Sequence, residues 1–383
     1  MVAWNNLGMH CYDGDYSVFG ILPPYNTLFA QVIERGDPPQ IVTEGISIHY
    51  AFPANTYSAG IPGKPDKTNF WQYAQQLFHL SSPLPPDTGL TGLGLAGEMT
   101  VVGDHFEAEG IPLTELRDAD AATGQANPYQ LAQLTLTETG SQTKCDSALA
   151  KLTVVAPVST EFSCANCHAD DGDATMNSGI TPTGNVKANI LAVHDLRSNT
   201  TLSSQQPVLC ADCHASNALG MPGEPGVNSL SYSMHSHHKE LDDITPDTDG
   251  CYNCHPGPKT QCLRDTMAQN YGVNCTNCHG TVADVADLAR DPWLQEPACG
   301  AAACHGSAFM PDEPLYRESR GHGGIYCAGC HDSPHAITPS REFNDGIKFL
   351  QLQGHTGSLS KCTVCHLTQP TDMFHHANLA AAQ

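Results

Sequence analysis

The chain has 383 residues, enough for two or three domains. Forty acidic residues against 17 Lys and Arg give a formal net charge of −23, which argues against nucleic acid and anionic membrane surfaces as partners. With 34 Gly, 27 Pro and 7% aromatic residues, the composition favours turns over regular structure, and no apolar run is long enough to span a bilayer.

Residues 1–158 carry short β-type runs at Leu28 to Ile33, Ile46 to Phe52, Met99 to Val102, Leu131 to Thr137 and Leu152 to Val155. Gly, Pro, Asn or Asp bounds each of them. One helix is expected from Asn69 to Leu80, with Phe70, Tyr73, Ala74, Leu77 and Phe78 on one face. Short strands with frequent turns predict a small N-terminal β-sandwich-like domain over 1–158, suited to docking or assembly. Cys11 and Cys145 sit near its two ends and form a candidate disulfide.

Residues 159–383 are organised by one repeated pattern. It reads Cys164-Ala165-Asn166-Cys167-His168, then Cys210 to His214, Cys251 to His255, Cys275 to His279, Cys327 to His331 and Cys362 to His366. A stretched copy runs Cys299-Gly300-Ala301-Ala302-Ala303-Cys304-His305. Cys-x-x-Cys-His is the attachment site of a c-type haem. Two thiols, Cys164 and Cys167 in the first copy, add across the two vinyl groups, and the adjacent His reaches the iron. The other anchors are Cys210 and Cys213, Cys251 and Cys254, Cys275 and Cys278, Cys299 and Cys304, Cys327 and Cys330, and Cys362 and Cys365. Structural zinc also uses Cys pairs, but it does not require a His directly after the second Cys.

The motif starts are separated by 46, 41, 24, 24, 28 and 35 residues, so this is an array without a fixed period. From Cys164 to His366 there are 203 residues for seven haems, too few per haem to close a protein-only core around each. The expected fold is a haem-organised module with short helices and mostly irregular coil.

Each iron needs a decision at its sixth position: a second His closes it for electron transfer, and an open site permits chemistry. The proximal ligands are His168, His214, His255, His279, His305, His331 and His366. The distal candidates are His194, His235, His238, His322, His335, His355 and His375, with His237 and His376 adjacent to two of them. His235 and His238 could serve two haems from one helical turn. Gly321 and Gly323 leave room for a porphyrin face beside His322.

His10, His49, His79 and His105 are spare. His10, beside Cys11 and followed by Asp13 and Asp15, is a candidate ligand to a haem in a neighbouring copy. Two acidic loops are candidates for Ca²⁺: Asp170, Asp171 and Asp173, and Asp242, Asp243, Asp247 and Asp249. Cys262 has no His after it and reads as a buried or disulfide-bonded thiol.

Covalent haem is attached after export, which implies an extracellular or cell-surface location, with the periplasm as second choice. The opening Met1-Val2-Ala3-Trp4 has no basic n-region or apolar h-region, so a leader or longer N-terminal region outside this numbering is expected.

Several phrases resemble the multihaem c-type cytochromes of metal-reducing bacteria. They are Trp4-Asn5-Asn6-Leu7-Gly8-Met9-His10-Cys11, the run from Gly20 to Leu28, and Pro157-Val158-Ser159-Thr160-Glu161 before the first motif. Pro292-Trp293-Leu294 and Gly321-His322-Gly323-Gly324-Ile325-Tyr326-Cys327 belong with them. The resemblance implies a heptahaem, exported electron carrier similar to cytochrome nanowire subunits. It would act as a homo-oligomer or filament, with other redox proteins, metal oxides, electrodes or partner cells as acceptors. The alternative class is a multihaem reductase of the nitrite, hydroxylamine or tetrathionate type, which needs one open iron and nearby acid–base groups. No Cys-x-x-Cys-Lys variant is present.

Overall fold

The computed structural model describes residues 1–139, 148–240, 248–291, 293–295, 299–306, 315–371 and 376. Eleven strands come from the first part of the chain. They are β1 (Val2–Asn5), β2 (His10–Cys11), β3 (Phe19–Gly20), β4 (Thr27–Glu34), β5 (Gln40–Val42) and β6 (Ile46–Ala51). β7 (Ala96–Glu98), β8 (Thr100–Val102), β9 (His105–Glu109), β10 (Tyr129–Glu138) and β11 (Ala150–Ser159) follow. Ten of them build two five-stranded sheets, and β3 lies outside both. One has the order β1-β4-β9-β8 with β5 beside β4, and the other has the order β2-β11-β10-β6-β7.

Alternation explains the β10 face. Gln130, Ala132, Leu134 and Leu136 point inward, with half-buried or exposed residues between them. Leu28, Ala30 and Val32 of β4 do the same from the other sheet, and both sets join one buried cluster with Ile48, Tyr50, Phe106 and Val154. All five predicted β-runs therefore lie in or overlap strands. β1 and β9 lie outside the predicted runs. β1 is buried at every position, so it has no alternation to read, and β9 carries two Glu in five residues.

The helix expected from Asn69 to Leu80 spans Phe70–Leu77 and buries Phe70, Ala74 and Leu77. It stops early because His79 takes a positive φ of 51°, which leaves the helical basin. The Cys145 half of the expected disulfide and the tail beyond His376 lie outside the described residues.

After β11 the structure changes character to short helices joined by long irregular links, with one further two-residue strand, β12 (Val208–Leu209), parallel to β3. This part packs against the sheets. Val2 and Trp4 meet Ala328 in a buried cluster. The helix Phe343–Gln353 lies on β10 and β11, with Thr153 N donating to Gln351 Oε1 at 2.7 Å and Asn344 Nδ2 to Tyr129 O at 2.9 Å. Two buried ion pairs fix it. Arg264 grips Asp345 with two bonds of 2.7 and 3.0 Å, and Lys348 Nζ lies 2.7 Å from Asp332 Oδ1 and 2.9 Å from Ala3 O. Among the described residues no helix is long and apolar enough to cross a membrane.

Candidate metal centres

The Cys-x-x-Cys-His segments fold as single helical turns. In four of them the His amide donates to the carbonyl of the first Cys: His168 to Cys164 at 2.9 Å, His214 to Cys210 at 3.0 Å, His255 to Cys251 at 2.9 Å and His366 to Cys362 at 2.9 Å. The stretched copy keeps the same bond across its two extra residues, His305 N to Cys299 O at 3.2 Å. The insertion is taken up by a tight turn, Cys304 N to Ala301 O at 2.8 Å. The relation between the first sulfur-bearing residue and the imidazole is thus preserved despite the insertion.

Six motif histidines each face a second imidazole from elsewhere in the chain. The ring centroids are 6.3 Å apart for His168 and His238, 6.2 Å for His214 and His194, and 6.2 Å for His255 and His235. They are 6.1 Å apart for His279 and His335, 6.0 Å for His366 and His322, and 5.8 Å for His331 and His376.

The interplanar angles run from 22° to 89° while the distance hardly changes. Direct ring contact would couple the two, since stacked rings approach more closely than edge-on ones. A constant separation with free rotation is what an atom between the rings imposes. Two metal–nitrogen bonds of about 2 Å and two ring radii of about 1.1 Å sum to roughly 6 Å.

The hydrogen bonds divide the histidines into two groups. In several of the facing histidines Nδ1 makes the bond to protein, His235 to Ser231 O at 2.7 Å, His238 to Met234 O at 2.6 Å and His214 to Asn228 O at 2.8 Å, whereas His168 Nδ1 is buried without a hydrogen-bond partner among the described residues. His194 uses Nδ1 toward Thr200 Oγ1 at 3.0 Å, and His331 toward Ser358 Oγ at 3.2 Å. With Nδ1 engaged, Nε2 is the nitrogen left for a metal, the arrangement that second-shell bonds give a metal-ligating His.

The spare histidines do the reverse. His10 donates from Nε2 to Asn6 Oδ1 at 2.7 Å, and His79 and His105 place Nε2 on Asp212 and Glu107 at 3.0 and 2.7 Å. His49 sits on β6 opposite Thr135 and Glu98.

His10 is buried, its Nε2 is engaged and its ring stacks on Tyr25. His376 stands opposite His331, and the candidate His375 lies outside the described residues.

His355 carries the ligand signature, Nδ1 on Thr356 O at 2.9 Å, yet it is exposed and no ring among the described residues faces it. His237 and the stretched motif's His305 are also exposed.

Burial lowers His168, His194, His235, His255 and His335 and so favours their neutral form, the one that ligates a metal. Burial first, then the charges of His235 and His279, lower His255 to about 4. His335 falls to about 4 for the same first reason, with His279 and Arg264 adding to it. A haem iron takes only its axial ligands from protein, so pairs are the relevant grouping. Among the described residues no cluster of three or more His, Cys, Asp or Glu is arranged to hold a bare ion. Asp170 Oδ1 accepts from Gly184 N and Asn189 Nδ2, and Asp242, Asp243 and Asp247 lie outside the described residues.

Neighbouring motifs follow one another through space. The helix Leu230–His237 and its C-cap His238 serve three of them: Ser233 Oγ lies 3.2 Å from His214 Nδ1, His235 faces His255, and His238 faces His168. Asn166 of the first motif donates to Asn253 of the third at 3.2 Å. His279 lies within electrostatic reach of His255, and Cys299 and Cys304 within reach of Cys278. Cys299 also reaches Cys327, and Cys365 reaches Cys330.

No protein family, curated protein or solved structure matches the chain.

Proposed function

We propose that the chain is a multihaem c-type cytochrome that moves electrons through seven covalently held haems. The observation that carries this reading is the set of six motif histidines, each opposed by a second imidazole at 5.8–6.3 Å. Haem, when bound, supplies one-electron chemistry between ferric and ferrous iron. The chain's own work is to anchor, orient and enclose. Paired Cys residues hold each ring edge. Nδ1 bonds to carbonyls or hydroxyls set the tautomer and direction of His194, His214, His235, His238 and His331. A His on both faces closes the iron to outside ligands and avoids the upward shift in potential that a Met ligand brings. The contacts that gather the first three motifs around the helix Leu230–His237 support conduction over single-site catalysis, so we read the chain as a carrier and not an enzyme.

The two packed sheets form, in this reading, a β-sandwich-like docking or assembly module. The protein is exported and works at the cell surface or beyond. Its polyanionic surface suits cationic partners and oxidised mineral surfaces. His355, oriented like a ligand and exposed, supports association with a second copy, up to a filament.

The test is the intact mass together with the reduced spectrum under carbon monoxide. Seven haem masses are expected, with at least the six haems of the paired histidines low-spin and unshifted by carbon monoxide. A mass without them, or a fully high-spin spectrum, would overturn the proposal.

A further inference from the structure

Seventeen cysteines less fourteen in motifs leave Cys11, Cys145 and Cys262. The fold carries two of these toward one place. β2 runs parallel to β11 and pairs Cys11 with Ser159. Paired residues on neighbouring strands point to the same face of a sheet, so the Cys11 and Ser159 side chains share a face. On that face Ser159 Oγ lies 3.0 Å from Thr260 Oγ1, a contact buried from solvent.

Thr260 is two residues from Cys262 in a turn that is itself held down. Tyr129 donates its hydroxyl to the carbonyls of Thr260 and Gln261, and Cys262 N donates to Pro256 O at 3.1 Å. The chain around Cys11 leans on the same region from the other side. Ser333 Oγ donates to Asn5 O at 2.5 Å, Arg264 N to His335 O at 2.9 Å, and Gly8 packs so closely on the Pro334 carbonyl that a Cβ there would collide with it. Cys262 feels this convergence directly, with its Sγ 3.7 Å from His335 Nδ1. The field of Cys262 also reaches Cys11, where burial and that charge together push the thiol upward.

We infer that Cys11 and Cys262, both free thiols in this structure, are oxidised to a disulfide that joins the strand-rich part of the chain to the loop beneath His335. The bond is made by exchange with a dithiol–disulfide oxidant of the exported compartment. The oxidant's S–S bond breaks as the Cys11–Cys262 bond forms, each cysteine gives up one proton, and the oxidant leaves as two thiols. The bridge does not require haem, but the oxidant that makes it rests on the export proposed above. The consequence of the bridge touches the proposed function itself. A sulfur fixed by the bridge sits at Nδ1 of His335, the ring opposite His279, and holds that imidazole's direction where other facing histidines use a carbonyl or a hydroxyl.

The experiment is a thiol map of the full, haem-loaded chain isolated under air, quenched in acid, alkylated without reductant and digested. The expected result is one linked pair of peptides containing Cys11 and Cys262, separable by reductant, with Cys145 alkylated. In Cys262→Ser, Cys11 should become alkylated. A Cys11–Cys145 link, or alkylation of both Cys11 and Cys262 in the unaltered chain, overturns the inference. Haem content is read separately from the intact mass. A chain with the link but no haem would sink the cytochrome reading and leave the bridge standing.

Discussion

His235 and His255 lie with their rings nearly parallel, centroids 6.2 Å apart, and His235 Nδ1 is already bonded to Ser231 O at 2.7 Å. The imidazole is therefore aimed before any metal arrives, and removing it should open one site alone. In His235→Ala, one of seven haems should become high-spin and bind carbon monoxide, while the low-spin signal falls by about one seventh. His10→Ala should leave the spectrum low-spin, because His10 spends its Nε2 on Asn6. Magnetic circular dichroism of both variants separates the two cases. An unchanged spectrum in His235→Ala would remove His235 from the ligand set.

His355 differs from the spare histidines in the nitrogen it uses and from the paired ones in its exposure. If it serves an iron of a second copy, His355→Ala should weaken association by tenfold or more, on the order of the loss seen when one metal-ligand shell is disturbed. Analytical ultracentrifugation against concentration reads this out. Equal association constants for variant and parent would show that the exposed imidazole has no such role.

The motifs were legible in the sequence because covalent chemistry demands a local spacing, and Cys299 to His305 could be read as a copy because its ends keep the pattern. The opposing ligands were only partly legible. His194 is alone between its motifs, so elimination points to it. His375 and His376 are adjacent, so sequence alone could not single out His376, which stands opposite His331. β10 could be read from alternation, whereas β1 is buried at every position and has no period to detect. The neighbourhood of Cys11 depends on a two-residue parallel pairing with β11, a contact across about 150 residues that no local pattern encodes.

Lys348 and Asp332 are each 1% exposed and lie 2.7 Å apart, with Lys348 also bonded to the Ala3 carbonyl. Lys348→Met leaves the Asp332 carboxylate buried beside an apolar chain. The expected cost is about 3–5 kcal/mol of stability. Adding Asp332→Asn should recover part of that loss, since the stranded charge is then gone. Guanidinium unfolding followed by far-ultraviolet circular dichroism measures both variants. A cost below about 1 kcal/mol for Lys348→Met would mean that the pair is solvated in solution.

His10 supplies a pH signature. Burial alone lowers it from 6.5 to about 3. Between those values the unfolded chain carries a proton at this position and the folded chain does not. Stability must then rise with pH across the window and fall away as the solution is acidified through it. His10→Gln removes the titrating group, so the slope of unfolding free energy against pH between about 3.5 and 6 should decrease by about one proton relative to the parent. Denaturant titrations at a series of pH values give both slopes. Identical slopes would place the His10 ring in contact with solvent, and the packing of β2 against Tyr25 would have to be redrawn.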